Sequence, residues 1–355
     1  MPKPPSTIKD LRAFAISNSL FKPGSLKAAI ETLGFVQADP IRSPARAQDL
    51  ILRHRVKDYR AGDLEKRYSK LDIEEDLLYA YGFLPKENWK LLHPRHETRM
   101  SRQEKLVLNL ALEAGELHPR DLKPHLGEER QINAWGGYSK VSTRILEELH
   151  YRGLLRITRR EDGIKIYGPA NKVEQLFEPQ HRLEKLVLLI ASILGPLPES
   201  SLRSTLNHLR YSAPTLTGRQ TIVKELIKTG ALEQATIDGT SYVWTAGSSR
   251  STPAPPMVRI LAPFDPVVWD RKRFEHLWDW AYRFEAYTPP PKRKMGYYAM
   301  PLLWHDDVIG WANVSTQTGK FEIETGFVRS KPKDKAFKIA LSEETERLKL
   351  FLNAL

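Results

Sequence analysis

The chain has 355 residues, a net charge of +12 and a pI of about 9.6, with 41% hydrophobic and 28% charged residues. That length predicts two to four domains, and the charge favours a polyanionic partner, nucleic acid before membrane surface. There is no cysteine, which excludes disulfides, iron–sulfur clusters, cysteine zinc sites and thiol nucleophiles.

The N-terminus, Met1-Pro2-Lys3-Pro4-Pro5, has no apolar core of a signal peptide, and the longest apolar run, 186–194, is too short to span a bilayer. A cytoplasmic location is expected. Residues 1–100 are predicted to be mostly helical, with helical spacing over 10–19, 25–33, 43–53 and 62–68 and a short extended piece over 35–41. Helices follow at 103–114 and 119–126. From Val141 the apolar residues Ile145, Leu146 and Leu149 mark a helix that Gly153 ends, and an alternating hairpin turns at Asp162-Gly163. The same order recurs: helices at 182–194 and 199–209, a helix through Ile222, Val223, Leu226 and Ile227 stopped by Gly230, then a hairpin turning at Asp238-Gly239. Helices followed by a hairpin form the winged-helix pattern. The expected fold is therefore α+β. It has three tandem winged-helix domains (1–100, degenerate; 101–178; 179–246), a Ser/Pro-rich linker over 247–257 and a β-rich domain over 258–355. In that last domain strands are predicted over 297–303, 308–314 and 321–327 and a closing helix over 336–352, as a sheet or barrel.

A winged helix binds nucleic acid through charge. Lys140 and Arg144 are four apart at the presumed recognition helix, and Arg156, Arg159, Arg160 and Lys165 crowd its hairpin. A solvated charged face is the competing reading of both groups. The second copy carries Glu233 and Asp238 on its hairpin and reads as a spacer. Pro291-Lys292-Arg293-Lys294-Met295-Gly296-Tyr297-Tyr298 mixes basic and aromatic residues, as a phosphate contact beside a stacking platform does. On a strand the two tyrosines would point oppositely, and Tyr298 is taken as the exposed one. Asp265 and Asp270 read as turn caps paired with Arg271 and Arg273. His93 and His96 flank Pro94, a poor spacing for a metal, and no cofactor is expected.

Phe35-Val36-Gln37-Ala38-Asp39-Pro40 is the sharpest local feature. Pro40 forces Asp39 into extended backbone, so Gln37 and Asp39 face one side. An amide beside a carboxylate can hold and polarise a water molecule, and Arg42 and Arg46 follow closely enough to meet a phosphate. From the residues alone, Asp39 as the cap of a following helix is the preferred reading.

Two segments shift that preference. FVQADPIRSPARAQDLILRHRV and LAPFDPVVWDRKRFEHLWDWAYRFEAYTPPPKRKMGYYAMPLLWHDDVIG resemble the winged-helix DNA glycosylases of the AlkZ and AlkX (YcaQ-like) type. The resemblance covers most of the chain, and the second segment is its most specific part. It implies three winged helices and a β-barrel domain shaped around damaged double-stranded DNA. The implied activity is base-excision repair of N7-alkylated purines and, in the Q-x-D branch, unhooking of interstrand crosslinks, by a monomer without cofactor. It gives Gln37 and Asp39 the catalytic roles. Two departures stand out. Leu77-Leu78-Tyr79-Ala80-Tyr81-Gly82 lacks the histidine of the family's Y-W-A-H-x-A, and Gly310-Trp311-Ala312-Asn313-Val314-Ser315 replaces G-R-x-D-x-K. A non-enzymatic winged-helix regulator or architectural DNA binder is the alternative; an RNA-directed role has no sequence motif behind it.

Overall fold

The computed structural model describes residues 4–95, 99–127, 130–132, 138–161, 163–170, 177–248, 254–316 and 320–353. Asp162 and His96 lie outside the described residues. Among these residues no helix is long and apolar enough to cross a membrane.

The first stretch holds α1 (Ile8–Ser19), α2 (Leu26–Leu33), β1 (Val36–Gln37), α3 (Ala47–Leu52), α4 (Asp63–Arg67), β2 (Ile73–Leu77), β3 (Tyr81–Pro85) and α5 (Lys86–Lys90). Thr7 caps α1 in a capping box with Asp10, and Gly34 ends α2 in the left-handed region. The β2–β3 hairpin corrects the helical expectation for this part. β1 pairs antiparallel with β3, setting Val36 opposite Phe83 and Gln37 opposite Gly82. Glycine is required there, because a Cβ on Gly82 would lie 2.3 Å from the Val36 carbonyl oxygen.

The second stretch runs through α6 (Arg102–Ala114), α7 (Lys123–Leu126), the short pair β4 (Arg130–Ile132) and β5 (Tyr138–Lys140), α8 (Val141–Tyr151) and the hairpin β6 (Leu155–Glu161)–β7 (Ile164–Pro169). The third holds α9 (Pro179–Leu194), β8 (Leu197–Pro198), α10 (Glu199–Leu206), α11 (Leu209–Ser212), α12 (Ile222–Lys228), β9 (Leu232–Ile237) and β10 (Thr240–Thr245), with sheet order β8-β10-β9. Asp238 and Gly239 both have positive φ, +46° and +74°, as the tight turn expected from Asp-Gly demands.

The last stretch contains β11 (Val258–Ile260), α13 (Pro266–Trp269), α14 (Arg271–Trp278), β12 (Met300–Trp304), β13 (Asp307–Ser315), β14 (Glu322–Phe327) and α15 (Lys335–Leu352). Its sheet is a four-stranded antiparallel meander, β11-β12-β13-β14. No pairing joins β11 to β14 among the described residues, so the expected barrel is an open sheet. One face is covered instead by α15, whose Glu344 accepts the Ile260 N–H at 2.9 Å.

Packing ties these stretches together. Phe14 of α1 meets Trp244 of β10 with ring centroids 5.8 Å apart, in a core shared with Leu261, Phe274 and Trp278. A second core joins Phe35 and Trp89 of the first stretch to α9 and α12 of the third. Buried ion pairs add directional links: Arg55 to Asp265 at 2.8 Å, both fully buried, and Arg53 to Glu344 at 2.5 Å. Asp265 does cap α13, accepting the Val267 N–H, and Asp270 caps α14. Their expected partners differ, however. Arg271 and Arg273 spend their guanidinium groups on backbone carbonyls, Val268 and Pro263 for one and Leu194, Pro196, Pro266 and Val267 for the other.

Candidate active site

Gln37 leaves the end of β1, and the strand pairing continues one residue further, where the Ala38 N–H donates to the Tyr81 carbonyl at 2.9 Å. Gln37 and Asp39 are both half-buried. The Trp269 indole N–H donates to Gln37 Oε1 at 2.9 Å, fixing the amide in one orientation. Behind it Phe35, Tyr79 and Trp269 form an aromatic row, with centroids 4.9 and 4.7 Å apart. Trp269 is 232 positions from Gln37, and no local signal in the sequence links them.

Asp39 does not cap a helix. Its Oδ1 accepts the Ile41 N–H at 2.9 Å, a turn closed across Pro40, and the next helix starts only at Ala47. One oxygen is thus committed to holding the loop; the other has no hydrogen-bond partner among the described residues. Burial pushes the Asp39 carboxyl up from its ordinary value, and the Ile41 N–H opposes that shift.

Beside this loop opens a cleft of about 530 Å³. Arg42, Ser43 and Pro44 line one wall; Asn313, Ser315, Glu322 and Glu324 line the other. Tyr297 and Tyr298 close the end. They sit in a turn before β12, not on a strand, so the alternation argument fails and the exposures reverse: Tyr297 is 43% exposed and Tyr298 3%. The turn is rigid because the buried Glu285 carboxylate accepts the N–H groups of Lys294, Met295 and Gly296. Burial alone would raise the Glu285 pKa; those three backbone donors outweigh it and lower it. Lys292 and Lys294 are exposed on this loop, while Arg293 lies over the Tyr297 ring at 5.0 Å.

The basic hairpin of the second stretch is placed differently from the expectation. β2 carries three buried acids, Glu74, Glu75 and Asp76. Arg160 donates to Glu75 at 2.5 Å and Arg156 to Glu74 at 2.8 Å. Arg95 donates to Asp76 at 2.8 Å. Burial would raise Asp76, but Arg95 and the His93 hydrogen bond hold its carboxyl far below the usual range. His93 thus serves as a structural partner of Asp76, packed at a tilt against the Trp89 ring. Lys165 packs over the Tyr81 ring at 4.5 Å, and burial lowers its pKa. Arg160 and Lys165 therefore bind the second stretch to the first and do not project outward. Arg159 remains 43% exposed, paired with Glu116 and Glu161. The hairpin turn also reaches the Asp39 loop: a Cβ on Gly163 would stand 3.4 Å from Arg46 Nη2 and 4.0 Å from Arg42 Nη2. Arg46 is paired with Glu65, whereas Arg42 is exposed. Lys140 is the residue before α8, not within it, and both it and Arg144 are exposed. Lys140 also lines a second cavity of about 400 Å³ with His118, Arg120 and Lys165.

The Gln37–Asp39 loop lies beside a nucleotide-sized cleft with arginine on one wall and tyrosine at the end, an arrangement suited to a nucleic-acid substrate. The chain belongs to the AlkZ-like DNA glycosylase family, whose model matches residues 30–351. The fold is similar to that of Streptomyces sahachiroi DNA glycosylase AlkZ, with a TM-score of 0.62, 12% sequence identity, and coverage of 98% of this chain and 96% of the other. At that identity the likeness establishes the fold, and the family supplies DNA as the substrate.

Proposed function

We propose that this protein is a monofunctional glycosylase that hydrolyses the N-glycosidic bond of N7-alkylated purines, with Asp39 and Gln37 as its catalytic pair. The observation that carries the reading is the division of labour at Asp39. One carboxylate oxygen holds the loop through Ile41, the other stays available, and Gln37 is locked beside it by Trp269.

An N7-alkylpurine is cationic, so its glycosidic bond is weakened without protonation. As the C1′–N9 bond breaks, its electron pair returns to the purine, which leaves neutral. Asp39 stabilises the positive charge that develops on the sugar. A water molecule oriented by Gln37 forms the new C1′–O bond and gives its proton to Asp39. One carboxylate suffices, in contrast to the two of most glycoside hydrolases. None of the described residues lining the cleft is a lysine, which supports attack by water over a Schiff base.

The three helix-and-hairpin stretches serve as winged helices that follow the duplex, with Arg42, Lys140, Arg144, Lys292 and Lys294 meeting phosphates. The enzyme works as a monomer on chromosomal DNA in the cytoplasm. An open cleft, in place of a closed pocket, leaves room for a base still tethered to the other strand, and so extends the substrate range to interstrand crosslinks. A sequence-reading regulator would need its wing side chains free, and the internal pairing of Arg160 and Lys165 favours the enzyme.

The test is release of N7-methylguanine from alkylated DNA, and unhooking of a nitrogen-mustard crosslink, by the purified protein beside Asp39→Asn. Equal product from both proteins would reject the mechanism.

A further inference from the structure

β13 and β14 are paired so that Asn313 faces Glu324 and Ser315 faces Glu322. These four side chains share the sheet face that lines the cleft. The glutamates are exposed, and neither makes an ion pair with a described residue. Where the resembled motif carries a lysine, this strand has Ser315 opposite Glu322, and Asn313 stands opposite Glu324, so no cross-strand cation neutralises them. An acidic wall is a liability for a surface that must approach phosphates. It becomes useful only if something positively charged sits against it.

A second observation points into the same cleft. Tyr298 lines it at 3% exposure, and its hydroxyl is buried without a hydrogen-bond partner among the described residues. Its ring is anchored edge-on to Phe284 at 5.1 Å. A buried hydroxyl left unpaired is costly to a fold. Burial first, and the nearby Asp39 charge second, push its pKa up, so it remains a donor at any physiological pH.

From these we infer that the cleft receives the lesion base itself, as a cation: Glu322 and Glu324 balance its charge, the exposed Tyr297 ring lies against its face, and the Tyr298 hydroxyl donates to one of its acceptor atoms. Arg42, on the opposite wall, then faces the phosphate of the same nucleotide. This rests on the glycosylase reading above and adds how the site selects its substrate. Undamaged purines are neutral and gain nothing from the acidic wall, while the cation gains from both carboxylates and the ring. Discrimination is thereby built into binding, before any bond breaks.

The experiment measures binding by fluorescence anisotropy to two duplexes that resist cleavage. One carries 2′-fluoro-N7-methylguanosine, which is cationic; the other carries 7-deaza-7-methylguanosine, which has the same shape and is neutral. Wild type is expected to prefer the cation by about tenfold, about 1.4 kcal/mol. Glu322→Gln with Glu324→Gln reduces that preference to about twofold or less, and tightens binding to undamaged duplex by removing two negative charges. Tyr298→Phe keeps its melting temperature or gains in it, and binds both modified duplexes about fivefold more weakly. Equal preference in wild type and the double variant overturns the acidic-wall assignment, and unchanged affinity in Tyr298→Phe overturns the role of the hydroxyl. Base release from unfluorinated N7-methylguanine is scored separately. Release without charge preference rejects this inference and leaves the glycosylase reading standing; charge preference without release does the reverse.

Discussion

Replacing Asp39 by asparagine separates its two tasks. Asparagine retains an Oδ1 that can accept the Ile41 N–H, so the turn across Pro40 should persist and Gln37 should keep its bond to Trp269. Only the charge is lost. Removal of one preorganised electrostatic group from an active site costs about 100- to 1,000-fold in kcat, about 2.7–4 kcal/mol. That is the loss expected for Asp39→Asn in single-turnover release of N7-methylguanine. Stability should move the other way. Burial raises the carboxyl pKa in the folded protein above its unfolded value. Between those two values the folded state binds more protons than the unfolded one, so this group's contribution falls as pH rises through that window. At neutral pH the buried charge is a net cost, and asparagine removes it. Thermal melts at pH 7 should show Asp39→Asn equal to or above wild type. The rate of wild type should fall on acidification through a pKa above the ordinary aspartate value, a limb that no longer exists in the variant. A variant with wild-type kcat refutes the mechanism. A variant with a clearly lower melting point refutes the claim that the loop needs only the oxygen and not the charge.

The other predictions concern what supports this pair. Arg160→Ala leaves Glu75, 1% exposed, without its ion partner, and should lower unfolding stability by about 3–5 kcal/mol in urea titrations. Arg42→Ala should leave stability within about 0.5 kcal/mol, yet weaken binding to any duplex and reduce the salt slope of log K by about one. Gly82→Ala drives a Cβ into the Val36 carbonyl; it should displace β1 and abolish most base release, with the loss visible as altered amide shifts at Gln37 and Ala38. Trp269→Phe removes the donor to Gln37 Oε1 and should reduce kcat about fivefold, about 1 kcal/mol, with little change in KM.

Local chemistry made much of this fold readable. Gly153, Gly230 and the Asp238-Gly239 turn announced their positions because only certain backbones satisfy them, and α6, α9 and α15 kept their apolar periodicity to within a few residues of the expectation. The β2–β3 hairpin was hidden because it carries Glu74-Glu75-Asp76 in a buried strand. Three consecutive acids read as surface until Arg156, Arg160 and Arg95 are known to meet them. The same pairing explains why the basic wing was misplaced, since a cation bound to a distant carboxylate looks identical in sequence to one awaiting phosphate. At the site, Pro40 made the short extended run that ends at Gln37 legible. Trp269 reaches Gln37, and Glu322 and Glu324 reach the cleft beside Arg42, only through long-range packing, which leaves no periodicity to follow.

The cleft's two walls belong to opposite ends of the chain, and each is fastened to the same helix region. Arg53 and Arg55 follow α3 directly, and they hold Glu344 of α15 and Asp265 before α13. Two buried ion pairs thus tie both walls to one helix region and resist their separation. On the proposed reading, the bending that brings a damaged nucleotide to Asp39 then falls to the duplex. Sites where stacking has already been weakened would then be found faster than rigid ones, and the mechanical softness of the DNA becomes part of how damage is recognised.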